Sequence, residues 1–259
     1  MRRLAVLALV AACAHKPQVG EVRFENAAPV WHVNDRKPLA KQPKEREYHR
    51  LLYHADGFIF RRTTRAMEVR RHRRAEDVNA LDEVPDSTWF TNRIGIRELS
   101  LEELRRAANV DPSPFDHRPW TITGAKQGGM SIGFVFEDAR GDKYILKFDN
   151  KDEAEMETGA HAIVQRILWA IGYNVPQDHI GYVRREDLVV GPKAKQDGYS
   201  DEKLDLALQR VHRTDDGRIR VLASRFLPGT PIGPYAREGT RRDDPNDVIA
   251  HENRRSLRG

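Results

Sequence analysis

The chain has 259 residues, of which 32% are charged and 39% hydrophobic, and its formal net charge is +5. Its hydrophobic residues recur in blocks that can build a core for one large or two small domains, which argues against a disordered chain. Its single cysteine, Cys13, excludes an intramolecular disulfide.

Residues 1–12 have the parts of a secretory signal peptide. Arg2 and Arg3 precede an apolar run that is too short to span a bilayer. The segment that ends Val10-Ala-Ala-Cys13 resembles the bacterial lipobox, in which the cysteine is lipidated and becomes the new N-terminus. We therefore expect Cys13 to anchor the protein to a membrane. Ala14 carries no acidic retention signal, so the outer membrane is the expected location.

The next two segments are predicted to be a tether and an irregular extension. Residues 13–45 are rich in proline, lysine and polar residues, which is typical of a tether. In the extension, residues 46–115, the runs 51–53 and 58–60 are predicted to be short packed segments. Seven arginines between Arg61 and Arg74 indicate either a solvated face or a patch for anionic lipid or an envelope polymer. Nucleic acid is not an expected partner of an exported lipoprotein.

A helix is predicted inside the extension. Ser100-Leu-Glu-Glu103 is a capping box, and apolar residues follow it at helical spacing. We expect this helix to end near Asn109, before Pro112.

Residues 120–149 predict a strand, a glycine-rich turn, a second strand and a third strand. Four glycines let the backbone approach a ligand closely and expose its N–H groups to an anion. Lys126 is a further candidate phosphate contact. The alternative is a plain hairpin with a wide turn, because the spacing fits neither the Walker pattern nor Gly-x-Gly-x-x-Gly. The candidate glycines are Gly124, Gly128, Gly129 and Gly133.

Lys147, on the third strand, is the first candidate for ligand binding. Its neighbours Leu146 and Phe148 point to the opposite face of the sheet. A lysine buried in an apolar strand needs a partner, and an acid from the following helix would supply one. Helical spacing favours Glu157 for that role. The alternative is an exposed edge-strand lysine with no ligand.

The second half of the lobe is predicted to contain two helices and three strands. A helix over residues 153–171 presents one apolar face, and residues 173–183 and 188–190 suggest a fourth strand and its hairpin. A helix opened by Ser200 and a strand over residues 219–226 follow. The apolar residues of the first helix are Met156, Ala160, Ile163, Val164, Ile167, Leu168 and Ile171; those of the second are Leu204, Leu208 and Val211.

This succession resembles the nucleotide-binding small lobe of a protein-kinase-like fold, in which a glycine-rich loop covers phosphates and a third-strand lysine grips them. The chain also resembles a family of uncharacterised bacterial lipoproteins with a kinase-like fold, through residues 82–93, 144–149, 155–160 and 172–176.

The resemblance implies an α+β fold, with a twisted antiparallel sheet and a packed helix over residues 116–234. It implies ATP and Mg²⁺ as weakly held ligands and makes Glu155, slightly ahead of Glu157, the partner of Lys147. It also implies that residues 235–259 begin a helical lobe that is truncated here.

No catalytic residue and no metal ligand is assigned from the sequence. His-Arg-Asp, Asp-Phe-Gly and His-Glu-x-x-His are missing from it, and no Gly-x-Ser-x-Gly nucleophile elbow marks a hydrolase, since Gly129-Met-Ser-Ile-Gly133 precedes a predicted strand and not a helix. Asp243-Asp-Pro-Asn-Asp247 lacks EF-hand spacing, so an acidic turn that caps a last helix is favoured over a Mg²⁺ or Ca²⁺ site. Trp89, Trp120 and Trp169 are predicted to be core anchors rather than a sugar-stacking platform.

Two functions are compatible with these features. The first is a lipid-anchored envelope protein with an incomplete kinase-like nucleotide-binding lobe that is inactive alone. The second is a non-enzymatic envelope lipoprotein that binds a protein or a polyanionic partner.

Overall fold

The computed structural model describes residues 34–67, 74–79, 83–94, 96–126 and 131–257. The chain divides into two compact units. Thr91–Gly229 is a contiguous unit, and the residues on either side of it, up to Phe90 and from Thr230 onward, form the other.

The contiguous unit is built on a six-stranded sheet with the order β4-β6-β3-β2-β1-β5. Four of its pairings are antiparallel, and the pairing of β1 with β5 is parallel, so the sheet is mixed. The predicted α+β class is confirmed, but the fully antiparallel sheet that the resemblance implies is wrong, because β5 runs parallel to β1. The strands are β1 Trp120–Ala125, β2 Gly133–Glu137, β3 Lys143–Phe148, β4 Asp178–Val183, β5 Leu188–Val190 and β6 Ile219–Arg225.

The predicted hairpin between residues 173–183 and 188–190 is wrong. Strand β4 pairs with β6, whereas β5 lies at the other end of the sheet beside β1. Leu188 and Val190 are buried there with Trp120, while Val189 between them is exposed. The alternation fits any half-buried strand, so the pattern alone did not identify the partner.

The apolar core lies on the face of the sheet that Leu146 and Phe148 share. It includes Trp120, which is fully buried and donates its indole N–H to the carbonyl of Pro114 at 3.0 Å. Leu204 and Leu208 from the predicted helix after Ser200 join this core, and that helix is confirmed. Val211, which was predicted to lie on it, is also in the core but comes after the helix ends at Leu208.

The unit contains four α-helices of very different lengths among its described residues. The capping box at Ser100 is confirmed: Ser100 accepts from the Glu103 N–H, and the Glu103 carboxylate accepts from the Ser100 N–H. That backbone bond, together with Arg97, lowers the pKa of Glu103 to about 2. The helix ends earlier than Asn109, because Ala107 has a φ of 48°. The other unit contains α1 Arg50–Ala55 and α2 Arg61–Met67. The four helices of the contiguous unit are α3 Leu101–Arg106, α4 Met156–Ala170, α5 Pro192–Gln196 and α6 Asp201–Leu208.

Helix α4 lies on the opposite face of the sheet from the core, and its predicted apolar packing is wrong. Ile163 is 62% exposed and Ile167 is 54% exposed, whereas Thr158 and Gln165 are buried. The helix is held by hydrogen bonds: Gln165 donates to the carbonyl of Pro176 at 3.1 Å. Of the predicted apolar face, all residues except Leu168 are exposed: Met156, Ala160, Ile163, Val164, Ile167 and Ile171.

The second unit contains helical residues where an irregular extension is predicted. A π-helical turn, Asp56–Phe60, joins α1 to α2, so residues 50–67 are continuously helical. The predicted packing of residues 51–53 and 58–60 is wrong, since their large apolar side chains are exposed. Near the other end of the chain, the described residues from Thr230 onward contain two short 3₁₀ turns, His251–Asn253 and Arg255–Leu257, in place of a starting α-helix.

Candidate functional site

Lys147 lies on the sheet face that carries α4, directly opposite Gly133 of β2. Its side chain is 18% exposed, so its ammonium group needs nearby partners. It has two: His161 Nε2 at 2.6 Å and Glu157 Oε1 at 3.7 Å, both on α4. Lys147 is therefore a largely buried lysine that His161 and Glu157 contact, and not an exposed lysine on an edge strand.

The acid that faces Lys147 is Glu157, and the preference for Glu155 is wrong. Glu155 is the residue before α4, where its φ of 66° turns the chain into the helix. Its carboxylate lies 2.9 Å from Nη1 of Arg220 on β6, close enough for an ion pair although hydrogen-bond geometry is not met. Glu155, at the start of the helix, is therefore paired with Arg220, and Glu157 is the acid that contacts Lys147.

His161 links Lys147 to a buried acid on β4. A lysine ammonium group can only donate, so Nε2 of His161 accepts and its proton is assigned to Nδ1. Nδ1 lies 3.8 Å from Oδ2 of Asp178, which is 3% exposed. The other carboxylate oxygen of Asp178 is buried without a hydrogen-bond partner. Both residues were missed in the sequence, although His161 lies four residues after Glu157 and so shares its helix face.

A second lysine lies on the same side of the sheet. Lys126 Nζ donates to the Ser131 hydroxyl at 2.7 Å, and that hydroxyl lies 3.4 Å from Glu157 Oε1. Burial lowers the pKa of Lys126, and the positive charge of Lys147 lowers it further. The ammonium groups of Lys126 and Lys147 are therefore close enough to repel each other, and the Glu157 carboxylate lies near both.

The described glycines of the predicted loop have different roles. A Cβ atom on Gly133 would lie 2.6 Å from the Leu146 carbonyl oxygen and 3.1 Å from Cδ of Lys126, so this glycine is required for strand packing. A Cβ atom on Gly124 would have no atom within 4 Å, so packing leaves open space there. Gly128 and Gly129 lie outside the described residues, as does Cys13.

Asp149 fixes α4 in register with the lysine strand. It is buried at the end of β3 and accepts two hydrogen bonds from Thr158, from N–H and hydroxyl, each at 2.8 Å. These bonds close the short connection between β3 and α4. They also place Glu157, next to Thr158, against Lys147.

The acidic turn of residues 243–247 is occupied by the protein's own groups. Asp243 pairs with Arg241 at 3.0 Å and accepts from the Lys44 N–H at 2.9 Å. Asp247 accepts from Arg241 N–H and lies 2.9 Å from His251 Nε2. Across the described ranges of the chain, no group of three or more acidic, histidine or cysteine side chains could hold a metal ion.

The three tryptophans that are predicted to be core anchors do not share one environment. Trp120 is the predicted core anchor, whereas Trp169 is partly exposed under the guanidinium group of Arg93, 4.8 Å from its ring centroid. Trp89 is also partly exposed and contacts the ring of His251 edge-on, at 5.9 Å.

No family model, curated protein or solved structure matches this chain. The resemblance to kinase-like lipoproteins therefore stays a prediction from the motifs named above.

Proposed function

We propose that Thr91–Gly229 is a kinase-like lobe that binds the phosphate groups of adenine nucleotide weakly, in a lipid-anchored envelope protein that transfers no phosphoryl group alone. The observation that carries this proposal is the constellation of Lys147 and Lys126 around Glu157, beside the end of the glycine-bearing β1–β2 segment.

A phosphate group suits the charges at this site. Both lysines lie near Glu157, and burial, followed by the positive charge of Lys147, lowers the pKa of Lys126, so added negative charge would stabilise its ammonium form. A nucleotide phosphate would supply that charge and form charge-assisted hydrogen bonds with either lysine. The open space above Gly124 leaves the β1 backbone accessible to such a group.

Adenine nucleotide and Mg²⁺ fit the chain unequally. The lysines fit phosphates, but the described residues gather no carboxylates free to hold the metal, since Asp243 and Asp247 are bound by Arg241 and His251. When bound to a nucleotide, Mg²⁺ neutralises charge that develops on the transferred phosphoryl group. Because the described residues contain no such group of carboxylates to position Mg²⁺, and the sequence carries no His-Arg-Asp motif to supply a base for the acceptor, we expect binding but no transfer.

The envelope location is proposed from the leader and Cys13. A lipidated cysteine after an apolar run would place both units outside the cytoplasm, where ATP is scarce. This compartment favours a second candidate, a non-enzymatic lipoprotein that binds a protein partner. The exposed apolar face of α4 supports it, because contiguous apolar surface of this kind is typical of interaction sites.

The test is a ligand-observed NMR titration of the purified protein with ATP, with and without Mg²⁺. We expect a Kd on the order of 1 mM, about −4 kcal/mol. Lys147→Met should weaken binding about tenfold or more, because a hydrogen bond to a charged group contributes about 1.5 kcal/mol or more. The matched control is Lys143→Met, an exposed lysine on the same strand, which should leave the affinity unchanged.

Equal affinity in both variants would remove Lys147 from the site, and no saturable binding would favour the protein-partner candidate. A parallel assay with radiolabelled ATP should give no incorporation of label. Incorporation that depends on Lys147 would contradict the proposed inactivity.

A further inference from the structure

Residues 50–67 form a continuous helical segment, the surface helix, that exposes large apolar side chains over much of its circumference. Three of these residues are consecutive in the sequence, Phe58, Ile59 and Phe60, each at least 60% exposed. A soluble protein gains nothing from such exposure, so contiguous apolar surface of this kind indicates a contact. The exposed apolar residues are Leu51, Leu52, Phe58, Ile59, Phe60 and Met67.

The surface helix is held to its own unit along one side. The Arg237 guanidinium group donates to the Tyr53 hydroxyl at 3.1 Å, and Arg61 pairs with Glu238 at 3.3 Å. A Cβ atom on Gly57, between those two positions, would meet Arg237 at 3.5 Å. These contacts fix which side of the helix faces outward.

The outward side carries positive charge among its apolar residues. Arg62 and Arg65 are exposed, and no acid in the described part of the chain forms an ion pair with either. Residues 50–67 hold four arginines and one aspartate. Thr63 and Thr64 donate their hydroxyls to the carbonyls of Ile59 and Phe60, at 2.8 and 2.6 Å, so these groups need no water.

We infer that the surface helix lies in the surface of an anionic lipid bilayer, with Phe58, Ile59 and Phe60 entering the apolar region and Arg62 and Arg65 near the headgroups. Apolar residues beside arginines on one helix are the features of an interfacial helix, whose binding scales with buried apolar area and attraction to anionic lipid.

This helix lies on the membrane rather than across it, since no helix in the described residues is long and apolar enough to cross one. The inference goes beyond the arginine patch predicted from the sequence, because it adds apolar insertion by a folded segment. It depends neither on nucleotide binding nor on lipidation of Cys13.

A fluorescent label tests the depth of the helix directly. In the full chain with Cys13→Ser, Ile59→Cys provides the single cysteine for an environment-sensitive fluorophore. The matched control is Ile163→Cys on α4, since Ile163 and Ile59 are almost equally exposed, at 62% and 60%. Each labelled protein is mixed with vesicles of phosphatidylethanolamine and phosphatidylglycerol that contain brominated lipid, and with vesicles of phosphatidylcholine.

We expect bromolipid quenching of the label at position 59 in anionic vesicles, and little at position 163. Adding Arg62→Gln and Arg65→Gln should raise the lipid concentration for half-maximal quenching on the order of twenty-five-fold, about fivefold for each arginine. The readout is quenching at the label, so vesicle capture through residues 1–12 does not count as support.

Three results would overturn the inference. The first is no quenching at position 59 at any lipid concentration, and the second is equal quenching at position 163. The third is vesicle binding that depends on the arginines but leaves the label unquenched, together with equally strong binding to a soluble polyanion. That result would assign the helix to an envelope polymer.

Discussion

Asp149 connects the lysine strand to the helix that faces it. Asp149 is 2% exposed, and its carboxylate accepts hydrogen bonds from the N–H and the hydroxyl of Thr158. A buried carboxylate that loses one of these donors keeps the cost of its desolvation. The position of Glu157 beside Lys147 therefore depends on a buried pair of residues, neither of which forms a hydrogen bond or ion pair with Lys147 in the described part of the chain.

The first prediction concerns this pair. Thr158→Val keeps the shape of the side chain but removes the hydroxyl, so the unfolding free energy should fall by about 1 to 3 kcal/mol. Thr158→Ser keeps the hydroxyl and should cost only about 0.8 kcal/mol for the lost carbon. Urea unfolding monitored by circular dichroism compares the two. Equal losses would mean that the hydroxyl contributes no more than the methyl group, which would contradict the prediction.

At this scale, sequence reasoning identified Lys147 and the need for an acidic partner. Helical spacing favoured Glu157, as observed, whereas the resemblance put Glu155 slightly ahead, and the choice between them depends on where the helix begins. Helix α4 starts at Met156 after a left-handed residue, which leaves Glu155 outside the helical wheel. His161 and Asp178 were missed because their role depends on the distance between α4 and β4, which no local pattern contains.

Helix α4 turns its polar side to the sheet and its apolar side outward. This is the reverse of the usual amphipathic arrangement, in which the apolar stripe faces the core. The inward side must hold Glu157 and His161 next to Lys147, so polar residues occupy positions that an ordinary helix fills with apolar ones.

The second prediction follows from that orientation. Ile167→Ser, on the outward face, should change the unfolding free energy by no more than about 0.5 kcal/mol, as surface substitutions do. Leu146→Ala, in the core on the other face, should cost about 2 to 5 kcal/mol. Thermal unfolding of both variants compares them. A comparable loss for Ile167→Ser would mean that the apolar face of α4 is covered in solution.

Strand periodicity and turn residues located β1, β2 and β3 and the helix after them. They could not predict that the apolar face of α4 is exposed. A period of 3.6 shows which residues share a face of the helix, but it does not show what that face packs against. They also could not place β5, since a parallel partner more than 60 residues away in the chain depends on the path of the connecting residues.

At the scale of the whole molecule, the proposals concern two different surfaces and one attachment point. The polar face of the Thr91–Gly229 unit is proposed for phosphate, and the surface helix of the other unit for lipid. Cys13 lies outside the described residues, so its role stays a prediction from the leader sequence.

The third prediction tests that role. Cells that express the full chain and are fed a radiolabelled or clickable fatty acid should incorporate it into the wild type and not into Cys13→Ser. The sulfur is required for the thioether bond, and more than one acyl chain gives a stable anchor where one holds only marginally. Equal labelling of the two proteins would end the lipoprotein assignment.

The division of the chain also favours an order of assembly. Thr91–Gly229 is contiguous and can fold as soon as it has been synthesised, whereas the other unit needs both of its segments. Asp77 accepts from the Ser256 hydroxyl at 2.7 Å, and these residues are 179 positions apart in the sequence. Closing so long a loop from an unfolded chain costs entropy that a folded insert between the segments reduces. We therefore expect the contiguous unit to fold first and the unit that carries the surface helix to form last.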